Sequence, residues 1–166
     1  MFRSVFAAVI LAASFTPHAS AAELAGTWLV EDRTAVVEIY SCDQNKETRR
    51  ARVSMGELCQ TAGARSAKSR NHWCGKVIEV TRQGVREARN SGIDPRSYEN
   101  LPILCVDKRR RAGELYSVKG QGLLGNHHRI QVKGYGPQGQ DAMRFNFCIW
   151  AGCKEQLWQR KSASNN

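Results

Sequence analysis

Short runs in which apolar and polar residues alternate are the feature of this sequence that most constrains its fold. Three clear runs are GELYSVK at 113–119, HHRIQVK at 127–133 and MRFNFCI at 143–149. A period of two with one polar face is typical of antiparallel strands, whose side chains point alternately to opposite faces. Glycine-rich breaks at 120–125 and 134–139 separate these runs and have the composition of turns.

The rest of the chain adds more short strands and little helix. A long loop is expected over 56–71, and one or two helical turns over 83–90. Because closing a sheet removes its exposed edges, we favour a barrel over a sandwich. The predicted class is all-β, a single small antiparallel barrel of about eight strands. The additional strands are expected at 26–31, 35–41, 51–55, 73–81, 101–107 and 156–160.

The N-terminus has the pattern of a secretory signal peptide. Arg3 precedes an apolar run over 5–15, and small residues follow at 19–22. A membrane anchor is the alternative, but the run is shorter than the ~20 residues that a membrane span needs. We expect cleavage after residue 22, one domain over 23–166, and a location in the periplasm or outside the cell. No transmembrane segment is expected after cleavage.

Export decides the interpretation of the cysteines. An even number in a small exported chain indicates a disulfide framework, although spacing alone allows many pairings. The last two lie in FCIWAGCKEQLW with four residues between them, which excludes a C-x-x-C redox pair. A disulfide across a turn at 151–152 explains them best. The six cysteines are Cys42, Cys59, Cys74, Cys105, Cys148 and Cys153.

No catalytic or metal-binding pattern stands out. His72 precedes Cys74 by two residues, but Val77 stands where a thioredoxin-like motif would have its second cysteine. His127 and His128 would point to opposite faces of a strand and so would not share one ion. We therefore expect no catalytic residue, no metal and no cofactor, and we predict that the protein is not an enzyme. A pocket that joins His72 to a carboxylate would favour an enzyme instead.

The chain is strongly basic, with 25 lysines and arginines against 15 acidic residues and a formal charge of +10. Such an excess attracts anionic partners, but charge alone is weak evidence, and a solvated basic surface is the simpler interpretation. Export makes nucleic acid an unexpected partner. A lipid or an anionic envelope polymer is the partner that we consider, and we expect a monomer.

The two ends of the domain are expected to meet. Gly26 and Trp28 open the first strand and Arg160 closes the last, and these strands are neighbours in a closed barrel. The Arg160 guanidinium would then lie over the Trp28 ring, a cation–π contact worth ~1–2 kcal/mol when partly desolvated. An ordinary core tryptophan is the alternative.

Several of these segments together resemble one family. GTWLVEDRTAVVEIYSC at 26–42, with a later Cys74-Gly75, resembles the start of an exported bacterial family, domain of unknown function twenty-one forty-seven. The family's members begin with G-x-W, continue into a V-x-I strand and a cysteine, and have a C-G further on. The segments 93–104, 113–120, 129–136 and 147–160 resemble its later motifs. The stretch 43–71 looks like an insertion or long loop, and 106–112 departs from the usual pattern.

This resemblance implies an exported, lipocalin-like β-barrel without an established activity or catalytic residues to carry over. It also implies two disulfides, Cys42 with Cys74 and Cys148 with Cys153, which leaves Cys59 with Cys105. The last bridge would attach the loop to the barrel.

Three functions remain open at this stage. The first is a barrel that binds a small apolar or amphipathic ligand, or an anionic envelope component; a plain filled core is the alternative for its interior residues. The second is a protein-interaction module, such as an inhibitor, that acts through its loops. The third is an enzyme assembled from distant residues. The candidate interior residues are Val37, Ile39, Ile78, Val80, Tyr116, Val118, Ile130, Val132, Phe145 and Phe147.

Overall fold

The chain folds into a closed antiparallel barrel in a computed structural model that describes residues 24–44, 54–63, 70–117, 126–135, 142–149 and 152–161. Each strand pairs with the next, and the last pairs with the first, so the predicted fold class is confirmed. The eight strands are β1 Gly26–Leu29, β2 Ala35–Ser41, β3 His72–Val80, β4 Pro102–Asp107, β5 Ala112–Ser117, β6 Asn126–Tyr135, β7 Ala142–Ile149 and β8 Gly152–Arg160.

Two α-helices lie outside the strands, α1 over Met55–Thr61 and α2 over Arg82–Asn90. Helix α2 confirms the helical turns expected near residues 83–90. The loop expected over 56–71 is wrong for its first part, because α1 lies there. The strand expected over 51–55 is wrong at Met55, which begins this helix. Residues 51–53 and 64–69 lie outside the described chain. None of the helices in the described ranges is both long and apolar enough to cross a bilayer.

A capping box explains why α1 forms here. The Ser54 side chain accepts a hydrogen bond from the backbone N–H of Glu57, and the Glu57 carboxylate accepts one from the backbone N–H of Ser54. This S-x-x-E pattern satisfies two backbone donors at a helix start. The small, polar composition that suggested a loop hid this signal.

On β6 and β7 the barrel interior follows the predicted alternation. On β5 the prediction is wrong by one residue, because Leu115, which pairs with buried Leu104, lies on the inner face and Tyr116 lies on the other. Ile130 and Val132 on β6 are buried, whereas Arg129 and Gln131 beside them are exposed. Phe145 on β7 packs edge-on against a tryptophan of β8, with ring centroids 4.7 Å apart. Buried side chains from the other strands complete this core, among them Trp28, Val37, Ile39, Leu104, Met143 and Trp158.

Another predicted interior residue, on β3, faces the other way. Ile78 is 43% exposed, so its assignment to the interior is wrong. The reason is a bulge: Val36 pairs with Glu79 and Val37 pairs with Val77, which leaves Ile78 without a partner in the ladder. An extra residue shifts the alternation by one. Val77 is therefore buried in place of Ile78.

The two ends of the domain meet as expected. Trp28 pairs with Arg160 across the β1–β8 ladder, and the Arg160 guanidinium carbon lies 4.4 Å from the Trp28 ring centroid. Arg160 also donates a hydrogen bond of 3.0 Å to the backbone oxygen of Ala25. Gly26 has φ = 136°, and a Cβ there would collide with the Arg160 side chain. The contact predicted from the sequence is present.

Disulfides fix α1 and the segment after β2 to the barrel. Cys42 is bonded to Cys74 on β3, and Cys59 on α1 is bonded to Cys105 on β4. The first is a pairing that the family resemblance implied, and the second is the pairing that remained for Cys59 and Cys105. Cys153 is also disulfide-bonded. Cys148 lies directly opposite it in the β7–β8 ladder, where the third bridge was expected.

Candidate ligand-binding cavity

A cavity of about 400 Å³ lies at one end of the barrel, between strand ends and α2. Strand β2 begins and β3 ends beside it, so we call this end the α2 end. Its floor and walls include apolar side chains from β3, β4, β5 and β8. These are Val77, Val80, Ile103, Leu115, Tyr116 and Trp158. Drug-sized ligands bind in clefts of ~300–1,000 Å³ lined mainly by apolar groups, so this cavity has room for a small molecule.

Helix α2 covers the cavity because its N-terminus is hydrogen-bonded to the turn between β1 and β2 and packs closely against it. The Thr81 side chain caps the helix by accepting a hydrogen bond from the backbone N–H of Gly84. The backbone N–H of Thr81 also donates to the Thr34 oxygen at 3.0 Å. A Cβ at Gly84 would overlap that same oxygen, so only glycine allows this approach. Ala88, one turn further on, is buried and lines the cavity.

Polar groups lie among the apolar lining. The Asp32 carboxylate accepts hydrogen bonds from the backbone N–H of Thr34 at 3.2 Å and from its hydroxyl at 2.6 Å. Glu87 lines the cavity from α2 and accepts a hydrogen bond from Gln83. Burial raises the pKa of the Tyr98 phenol, which stays protonated at neutral pH. Among the described residues that line the cavity, both charged side chains are acidic, and there is no lysine or arginine.

The predicted interior residues divide between this cavity and the solid core. Tyr116 and Val80 line the cavity. Val118 and the side chain of Phe147 lie outside the described residues. Five others are buried side chains that do not line the cavity: Val37, Ile39, Ile130, Val132 and Phe145.

Sequence reasoning missed the residues that make this a cavity. Val77 was missed because the bulge was not visible in the alternation. Gly84 and Ala88 are four residues apart, which places two small residues on one face of α2. That spacing, with a capping threonine at position 81, was a usable signal for a helix that packs closely on another element.

His72 and Asp107 come together, but away from the cavity. They are register partners at the opposite end of β3 and β4, and His72 Nε2 lies 3.8 Å from Asp107 Oδ2. Burial lowers the pKa of His72, while the Asp107 charge opposes that shift. Cys74 nearby is disulfide-bonded, so it offers no nucleophile. Neither His72 nor Asp107 lines the cavity at the α2 end.

Asp107 is held by hydrogen bonds within its own turn. Partial burial alone would raise its pKa, but backbone N–H groups of Arg110 and Arg109 donate to it and, with nearby charges, lower the pKa below its usual value. Both hydrogen bonds to Asp107 Oδ1 are 2.8 Å long. The carboxylate therefore organises the turn between β4 and β5.

Comparison with known proteins adds no relative: no family model matches the chain, and neither the curated proteins nor the solved structures include a match. The resemblance to domain of unknown function twenty-one forty-seven therefore stays a prediction.

Proposed function

We propose that this protein is an exported, non-enzymatic barrel that holds a small amphipathic ligand in the cavity at the α2 end. The observation that carries the proposal is the cavity itself, about 400 Å³ in volume, with apolar walls from four strands. Small barrels that lack a carrier function fill this space with their own side chains. Here the middle of the barrel is filled by side chains such as Phe145 and Trp28, whereas the α2 end is open.

The charges at the cavity narrow the ligand class. Asp32 and Glu87 make its described lining acidic, although the chain as a whole carries +10. An anionic headgroup would meet two like charges there, whereas a cationic headgroup would meet opposite ones. The proposed ligand thus has an apolar body and a neutral or cationic polar end, and a fatty acid is disfavoured.

The test compares two fluorescent probes with the same alkyl chain, one ending in an amine and the other in a carboxylate. We expect the purified protein to bind the amine more tightly, by about two- to fivefold, because partly exposed ion pairs contribute ~0.2–1 kcal/mol. Asp32→Asn should remove part of this preference. Glu31→Gln, at an exposed neighbour that does not line the cavity, is the matched control and should leave it unchanged.

Two results would contradict the proposal. If neither probe binds, and native mass spectrometry of detergent-free protein finds no bound mass that is lost on denaturation, the cavity is not a binding site. If the carboxylate probe binds more tightly than the amine probe, the assigned ligand class is wrong.

A second candidate function rests on a different surface, the turn between β4 and β5. Arg109, Arg110 and Arg111 are consecutive and exposed, and Asp107 holds the turn by the two hydrogen bonds described above. Lys108 points away into the structure, where it donates to the Ser41 hydroxyl at 2.7 Å and lies 4.1 Å from the Trp73 ring centroid. A rigid turn that presents three arginines suits an anionic envelope polymer.

This second function predicts salt-sensitive binding to an anionic polymer such as a teichoic acid or lipopolysaccharide. Replacing the three arginines with glutamines should abolish the binding, while the same change at Arg82, Arg86 and Arg89 on α2 should not. Equal binding by both triple variants would mean that overall charge, rather than this turn, attracts the polymer. The interaction-module alternative stays a prediction; its partner would be acidic if this turn is the contact.

A further inference from the structure

Four buried cysteines from four different elements form one compact group of sulfur atoms. Their Sγ atoms all lie within 4.8 Å of one another. Cys59 Sγ and Cys74 Sγ belong to different disulfides, yet they are only 3.7 Å apart. Each of the four residues is at most 2% exposed. We call these residues the sulfur cluster: Cys42, Cys59, Cys74 and Cys105.

The fold creates this cluster. Cys74 and Cys105 are direct partners in the β3–β4 ladder, so they point to the same face of the sheet. Cys42 follows the end of β2, and Cys59 comes from α1, whose buried residues Met55 and Leu58 pack against the barrel. In the sequence the four are widely separated, without the short C-x-x-C spacing that marks zinc sites.

We propose that the sulfur cluster, when its two disulfides are reduced, is a binding site for one Zn²⁺ ion. Zinc binds four thiolates at ~2.3 Å in a tetrahedron, which places neighbouring sulfurs ~3.8 Å apart. The inter-disulfide distance of 3.7 Å already matches that separation, and the longest distance in the cluster exceeds it by about 1 Å. After reduction, the two Sγ atoms of each former disulfide need only move apart to this sulfur–sulfur distance, because the fold already holds all four residues together.

Loading the ion requires reduction of both disulfides. Each disulfide accepts two electrons and two protons from a dithiol reductant, which is itself oxidised to a disulfide, and two thiols result. Zn²⁺ then displaces the four thiol protons and accepts an electron pair from each sulfur. Two equivalents of a small-molecule disulfide, each reduced to two thiols as it takes up two electrons and two protons, restore the two protein disulfides and release the ion. The cluster therefore has two closed states, two disulfides in oxidising surroundings and a metal thiolate in reducing ones.

The test uses the full chain, reduced in denaturant with a dithiol that is then removed, and refolded without oxygen in the presence of Co²⁺. Tetrahedral Co²⁺ bound by thiolates absorbs far more strongly in the visible than octahedral Co²⁺ in water, and thiolates add a charge-transfer band in the near ultraviolet. We expect one such Co²⁺ per chain, displaced by one equivalent of Zn²⁺, and circular dichroism showing β-structure. Cys148→Ser with Cys153→Ser is the matched control, because it removes two cysteines outside the cluster and should leave the cobalt spectrum intact.

A double variant, Cys59→Ser with Cys105→Ser, should lose the tetrahedral cobalt spectrum when it is reduced. In its oxidised form the same variant should keep the Cys42–Cys74 disulfide. Three results would overturn the proposal. These are the absence of the tetrahedral spectrum in the reduced wild-type chain, a reduced chain that stays unfolded with Zn²⁺, and loss of the spectrum in the Cys148/Cys153 control.

Discussion

Arg160 and Trp28 show how a single pair of residues closes this barrel. In the described part of the chain the β1–β8 ladder has two register pairs, and the guanidinium over the Trp28 ring lies directly at one of them. Arg160 also bonds to the Ala25 backbone. A cation over an aromatic face and a hydrogen bond to a carbonyl both stabilise the meeting of the first and last strands.

Arg160→Ala should lower the free energy of unfolding by about 1–2 kcal/mol, because it removes the cation–π contact and the bond to Ala25. Thermal and urea unfolding would measure the change. Gln159→Ala, at the exposed neighbour in β8, is the control and should change stability by less than about 0.5 kcal/mol. Equal effects from the two variants would mean that the ring contact does not stabilise the closure.

His72 should make stability depend on pH. Burial lowers its pKa in the folded protein below the unfolded value of ~6.5, so the unfolded chain takes up the proton more readily. The stabilising contribution is fully present above about pH 7 and is lost as the pH falls through the region below ~6.5. We expect His72→Gln to flatten the fall in unfolding free energy between about pH 7 and 5. Parallel curves for the two proteins would contradict this assignment.

Strands were predictable from the sequence, and helix α1 was not. Strand β2 was predicted with its observed bounds, 35–41, although both of its faces carry buried residues rather than one. Helix α1 has only seven residues and no long apolar stripe, so its formation depends on a capping box and on attachment through Cys59. Short helices owe most of their stability to tertiary packing, which the sequence does not display.

Leu58→Ala tests whether α1 is a packed element of the fold. Leu58 is fully buried, and truncating a buried leucine typically costs about 2–5 kcal/mol. Gln60→Ala, on the exposed side of the same helix, should cost less than about 0.5 kcal/mol. Chemical unfolding of the oxidised proteins measures both. A small effect at Leu58 would show that α1 is held by its disulfide alone.

Residue-level reasoning also located parts of the candidate site without finding the site. Val80 lines the cavity as expected of an inward-facing residue. Tyr116 also lines it, but it shares a strand face with Glu114, the register partner of an exposed arginine, so its assignment to the interior is wrong and Leu115 is the inward residue. Ile78 was assigned to the wrong face, because the bulge arises from how β2 and β3 pair and leaves no local signal in the sequence. Helix α2 covers the cavity because Gly84 lies against the Thr34 backbone. These two residues are fifty positions apart in the chain.

At the scale of the whole molecule, the barrel has two different halves. Away from the α2 end, the sulfur cluster and α1 pack against β3 and β4. The α2 end has a cavity with acidic groups, in a chain whose surface is otherwise strongly basic. The closed barrel could be predicted from the sequence. The position of the cavity could not, because it depends on which strand ends lack side chains large enough to fill the space between them.

The central claim is that a ligand enters the cavity at the α2 end, and neighbouring residues on β3 allow a direct test. Val77 lines the cavity and is buried, whereas Ile78 beside it is exposed. The measurement is the fluorescence titration of Val77→Phe, Ile78→Phe and wild-type protein with the alkylamine probe, with thermal unfolding to confirm that each variant is folded. We expect Val77→Phe to weaken binding at least tenfold by filling the cavity, and Ile78→Phe to bind as the wild type does. Undiminished binding by folded Val77→Phe would contradict the account.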